Sequence, residues 1–218
     1  MTGTAFTGWP DAAIEFYRGL EVDNSKEYWA RHKPVYDAEV LAPMQALLAD
    51  LTDEFGEAKI FRPNRDIRFS ADKSPYKTSI SAMLGNGYVE FSARGLGVGA
   101  GCHMMAADQL ERMRAAIADD STGVELEGIL AGLKDADIDV MVRDQLKTAP
   151  RGYPKDHPRA DLLRNKDLAA WKHWPADEPW MRTAQVRTRV ADVLRTARPL
   201  VRWLDANVGE SMLQRRRP

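Results

Sequence analysis

One cysteine, Cys102, stands in a chain of 218 residues, so no intrachain disulfide can form. The expectation is a reducing compartment, the cytoplasm. An excess of charge is missing too. With 31 lysines and arginines against 32 aspartates and glutamates, the net charge is −1. That removes the broad electrostatic case for a nucleic-acid or membrane surface. No apolar run approaches the roughly 20 residues of a membrane-spanning helix. The first residues, MTGTAFTGWPDAAIEF, lack the basic start and apolar core of a signal peptide.

Chemical signatures are equally sparse. His32, His103, His157 and His173 are scattered, without zinc-like spacing. There is no HExxH, EF-hand or Walker sequence. The glycines of 95–101 come late in an antiparallel run, without the strand–loop–helix context of a dinucleotide fingerprint. No GxSxG elbow occurs, and Ser70, Ser74 and Ser79 have no neighbouring base in the sequence. The reading therefore includes no metal, no cofactor and no covalent nucleophile.

What is present is an ordinary globular composition, 44% hydrophobic and 29% charged. Its length suits one domain spanning 1–218, with 211–218 as a frayed tail. Helical spacing marks 10–20, with Pro10 at the start and Ile14, Tyr17 and Leu20 inward. Asn24 or Ser25 caps a second short helix, and a new helix at Pro34 would explain that proline. Val40, Leu41, Met44, Leu47, Leu48, Leu51 and Phe55 then form one apolar face, stopped by Gly56.

From Arg65 onward the period falls to two. Ile67 and Phe69, then Ile80, Ala82 and Leu84, then Val89, Phe91 and Ala93 alternate with polar or small neighbours, with a turn at Gly85-Asn86-Gly87. Glycines alternate at 95, 97, 99 and 101, so something approaches that face closely, with a packed helix preferred to a ligand. Helices follow, one starting near Asp108 and one capped by Ser121 or Thr122. Residues 140–146 read as an edge strand or irregular segment, 149–158 as loop and 159–165 as a helical turn. A long helix over 180–207 is kinked or divided by Pro199. Helices, then strands, then helices predict an α+β fold with a mainly antiparallel sheet of four to six strands.

The candidate site is IFRPNRDIRFSADKSPYKTSI, residues 60–80. Arg62, Arg65, Arg68, Lys73 and Lys77 are interleaved there with Phe61, Phe69 and Tyr76, and only Asp66 and Asp72 oppose them. Arginine presents a planar fork of donors to phosphate or carboxylate, and lysine adds a mobile charge. If 65–69 is a regular strand, Arg65 and Arg68 point to opposite faces, and Arg68 shares its face with Asp66. That narrows the site to the strand end and the following turn, 68–77, whose Ser74-Pro75 holds the adjoining lysines stiffly. A second basic loop carries Arg151, Tyr153, Lys155 and His157. His157 suits acid–base work, and equally a hydrogen bond to its own backbone. Trp171, Trp174 and Trp180 read as anchors for the last helix. The terminal arginines 215–217 are too few to define a nucleic-acid surface.

Three segments, DNSKEYWARHK (23–33), FRPNRDIRFSADKSPYKTSI (61–80) and RGYPKDHPRADLLRNKDL (151–168), together resemble the family known as domain of unknown function 2461. The middle piece is the most specific, through its spaced arginines and RFS-x-DKSPYKT. The resemblance extends over about 9–205. It departs from the pattern at Pro34 and at Cys102-His103-Met104. It implies a mixed fold and no particular reaction. Three functions follow from the residues: binding of an anionic, phosphate-bearing small molecule at a basic groove; an enzyme acting on such a ligand, with His157 as acid or base and Asp66 orienting an arginine; or a structural or interaction module whose basic stretch serves internal ion pairs.

Overall fold

The computed structural model describes residues 5–68, 70–142 and 144–213. Phe69 and the arginines of 215–217 lie outside the described residues. The chain opens with α1 (Asp11–Val22), which buries Ala13, Ile14, Phe16, Tyr17 and Leu20. Then comes α2 (Lys26–Val35), capped by Ser25, whose hydroxyl accepts the Tyr28 N–H at 3.0 Å. Pro34 does not begin a helix; it lies inside α2. Proline removes one donor from the hydrogen-bond ladder. The chain answers with a π-helical stretch, Tyr36–Leu41, and resumes as α3 (Ala42–Phe55). Met44, Leu47, Leu48 and Leu51 of α3 are buried, and Gly56 ends it at φ 96°.

The strands are β1 (Ala58–Ile60), β2 (Ser79–Leu84), β3 (Gly87–Ser92) and β4 (Gly95–Cys102), followed by α4 (Ala107–Ala118), α5 (Asp120–Asp135), β5 (Asp139–Met141), α6 (Ala160–Leu163) and β6 (Leu168–Pro175). A 3-10 turn, Pro179–Arg182, leads into α7 (Gln185–Asn207), which runs as one helix through Pro199 rather than dividing there. The six strands form one antiparallel sheet in the order β1-β2-β3-β4-β6-β5, so the fold is α+β as read from the sequence. The β2–β3 turn pairs Leu84 with Gly87. Gly85 in that turn sits at φ 52°, and an added Cβ would lie 1.9 Å from the Phe55 carbonyl oxygen.

Two elements differ from the sequence reading. Residues 65–68 are not a strand, so the argument from opposite strand faces falls away. And β6 is a strand where the sequence reading assigned no element. Its sequence, LAAWKHWP, has no β-branched residue, and proline ends it. It also accounts for the glycines of β4. A Cβ at Gly95 would meet the Trp174 carbonyl oxygen at 2.0 Å, at Gly99 that of Ala170 at 2.8 Å, and at Gly101 that of Leu168 at 2.5 Å. The close neighbour is a strand backbone, not a helix.

The chain packs as two compact units. The first comprises Met1–Val98 with His173–Val193. There Trp9 is fully buried, its ring stacked on Phe91 at 4.3 Å, and its main-chain N–H donates to the Met181 carbonyl at 3.0 Å. The second comprises Gly99–Lys172 with Leu194–Pro218. Its centre is the corner between α4 and α5. Asp119, not Ser121 or Thr122, caps α5, accepting the N–H groups of both at 3.0 Å. The buried Arg159 side chain fills the corner, donating to the Ile117 carbonyl at 2.6 Å and to the Asp120 carboxylate at 2.6 Å. This satisfies carbonyls at the end of α4 that the helix itself leaves unbonded. Trp203 of α7 donates from Nε1 to the Thr122 carbonyl at 2.9 Å.

Glycines in α5 test this corner. A Cβ at Gly123 would sit 2.4 Å from the Ile117 oxygen and 2.5 Å from Arg159 Nε, whereas nothing lies within 4 Å of one at Gly128 or Gly132. Gly128→Ala and Gly132→Ala should each stabilise by about 0.5–1 kcal/mol, as alanine does in open helix interiors. Gly123→Ala should instead destabilise by about 1–3 kcal/mol through overpacking. Urea denaturation of the three variants gives the two signs.

Candidate functional site

The basic stretch is a long excursion, residues 61–78, between β1 and β2. Its two arms run antiparallel beyond the regular ladder. Phe61 N–H donates to the Ser81 carbonyl at 2.9 Å, Lys77 N–H to Pro63 at 2.8 Å and Arg65 N–H to Pro75 at 2.9 Å. Asn64 and Tyr76 form an isolated bridge. Pro63 and Pro75 supply acceptors and no donor, which suits arms that hydrogen-bond on one side only.

The excursion is tied to the helices by Asn24, between α1 and α2. Its amide donates to the Tyr76 carbonyl at 3.0 Å and accepts the Tyr76 N–H at 3.1 Å. One side chain thus pairs both main-chain groups of Tyr76, as a neighbouring strand would. The Tyr76 ring stacks on Trp29 of α2 at 4.2 Å and 10°. Neither contact was read from the sequence. In the sequence Asn24 is one of two possible caps for α2, and nothing there links it or Trp29 to Tyr76.

A cleft of about 520 Å³ opens beside this junction, within the size range of small-molecule sites. The helices contribute Glu21 and Asn24; the excursion contributes Arg65, Asp72, Ser74, Tyr76 and Lys77, and Thr78 and Ser79 complete the lining. Of the basic residues picked from the sequence, Arg65 and Lys77 line the cleft; Arg62, Arg68 and Lys73 are exposed and do not. The Lys73 ammonium donates to the Ile67 carbonyl at 3.0 Å.

The charges fall into two kinds. Arg65 is ion-paired with Asp72, and Arg68 grips Asp66 with two donors, at 3.0 and 2.7 Å. The Arg68 hydrogen bonds hold the Asp66 carboxyl down at about 2, from an ordinary 3.8. Hydrogen bonds from Ser74 and then Arg65 hold Asp72 lower still. Lys77 differs: it has no ion pair among the described residues. Its ammonium lies 5.5 Å from the centre of the Phe61 ring. Partial burial lowers its pKa, and the like charge of Arg62 adds to the effect.

Arg151, Tyr153, Lys155 and His157 lie in successive turns of the second unit, with Arg151 and Lys155 exposed and Tyr153 and His157 half-buried. The His157 Nδ1 accepts the Arg159 N–H at 3.0 Å, so that nitrogen is engaged by its own turn. Among the described residues no group of three or more His, Cys, Asp or Glu side chains is placed to hold a metal ion.

Two outcomes check this geometry. Asn24→Ala leaves both main-chain groups of Tyr76 without their partner and should cost about 1–3 kcal/mol; hydrogen exchange at the Tyr76 amide should speed up while the β2–β3 amides stay protected. Asp66 should titrate by NMR with a midpoint of about 2. Its pairing with Arg68 is complete above the ordinary carboxylate value and is lost as pH falls through the lowered one. In Arg68→Ala the midpoint should rise toward 3.8.

Comparison with known proteins leaves the site without a precedent of known chemistry. No curated protein matches the chain, and no solved structure does. Residues 12–203 match the family described as conserved hypothetical protein (DUF2461). With the match running through α1, the 61–78 excursion and most of α7, the chain belongs to that family.

Proposed function

We propose that the chain binds a small anionic ligand, phosphate-bearing, in the cleft beside Asn24. The observation that carries the proposal is the state of Lys77. A partly desolvated ammonium lines the cleft, close enough to the Arg62 guanidinium to be disfavoured by it, and no carboxylate among the described residues pairs with it. A bound anion relieves both costs at once. The hydroxyls of Thr78 and Ser79 and the guanidinium of Arg65 offer further donors to phosphate oxygens.

A second reading is favoured by a different observation. Arg65 and Arg68 are each held by an acid of the same excursion, as expected if the basic stretch serves internal ion pairs. On that reading Lys77 is a solvated lysine and anions do nothing specific. The side chain of His157 bonds within its own turn, and no separate observation favours a catalytic role for it.

Among the described residues no helix is long and apolar enough to cross a membrane. We place the protein in the cytoplasm, where a half-buried lone thiol at Cys102 persists without a partner.

A thermal-shift titration with inorganic phosphate, pyrophosphate and nucleotides separates the two readings. Anion binding should raise Tm with ligand concentration, because a ligand that prefers the folded state stabilises it. Lys77→Gln should abolish the shift. Absence of a shift with every anion, or a shift undiminished in Lys77→Gln, would favour the internal ion-pair reading.

A further inference from the structure

The cleft is not uniformly basic, and its acid bears on what fills it. This inference rests on the anion reading above. Glu21 lines the cleft with Lys77 and Arg65. The other carboxylate of the lining, Asp72, is already engaged by Arg65 and by the Ser74 hydroxyl at 2.6 Å and N–H at 2.9 Å. Glu21 is exposed and forms no ion pair among the described residues, with Lys77 or with any other cation. One cleft therefore holds an unpaired ammonium and an unpaired carboxylate that do not neutralise each other.

The position of Glu21 sharpens this. It lies in the last turn of α1, which has no basic residue, and Asp23 follows directly. The C-terminal end of a helix carries partial negative charge and favours cations nearby. Two acids there oppose that preference, and a cation entering the cleft satisfies both Glu21 and the helix end. Lys77 and the Thr78 hydroxyl form the anion-accepting part of the same lining.

We propose that the cleft takes a small zwitterion, a phosphate-bearing primary amine, with its phosphate on Lys77 and its ammonium on Glu21. A ligand carrying both charges couples two groups that the protein itself leaves apart, and the two contacts together select it over a simple phosphate ester.

Matched ligands test the proposal. Calorimetric affinities of phosphoethanolamine and ethyl phosphate, which differ chiefly in the amine, are measured for the full chain and for Glu21→Gln. The wild type should prefer phosphoethanolamine by about fivefold, the scale of an exposed ion pair. In Glu21→Gln the ratio should fall to about one. Ethyl phosphate binding as tightly as phosphoethanolamine, or a preference unchanged in Glu21→Gln, would overturn the zwitterion and leave the anion reading standing. Binding of neither ligand, nor of inorganic phosphate, would overturn both.

Discussion

The cleft depends on one side chain doing the work of a strand. The 61–78 excursion leaves the sheet after β1, and among the described residues no strand pairs with Tyr76 on the side away from Asn64. Asn24 supplies the missing partner, with a donor to the Tyr76 carbonyl and an acceptor for its N–H. A buried main-chain group without a partner is costly, so this pairing fixes where the arm lies. The Trp29–Tyr76 stack fixes its orientation. Arg65 and Lys77 reach the cleft because they flank an arm held in this way.

Much of the fold was legible because it follows periodic apolar residues. The α3 face was read from apolar spacing, the β2–β3 turn from Gly85-Asn86-Gly87, and α7 as a long helix near the end of the chain. What escaped was set by contacts distant in sequence. Nothing local marks LAAWKHWP as a strand; its place beside the glycines of β4 makes it one. The 65–68 segment looked like a strand from Asp66-Ile67-Arg68. Those residues instead spend their hydrogen bonds within the excursion, with Arg68 on Asp66 and the Ile67 carbonyl on Lys73. The basic stretch was visible as a candidate, but Glu21 and Asn24 were not. A glutamate at a helix end and an asparagine before a serine cap are ordinary in sequence, and only the fold brings them to the excursion.

The arrangement also ranks the cations. Clustered arginines suggest a ligand site, yet clustered acids in the same loop offer them nearer partners. Arg68 has found Asp66 two residues away, and its fork matches that carboxylate with two donors. Lys77 sits on the returning arm and forms no ion pair among the described residues. Density of positive charge was thus a poor guide to which cation is available.

The Asn24–Tyr76 clamp joins residues 52 apart in the chain. Closing so long a loop costs chain entropy that only completed structure on both sides can offset. In folding order, then, the site comes late: the helical pair and the β2–β3 hairpin form from near neighbours, and the cleft assembles when they meet. A chain that has folded only locally has all the residues of the site and no site. Loss of the clamp in a partly opened molecule would remove the cleft before it disturbed the hairpin beside it.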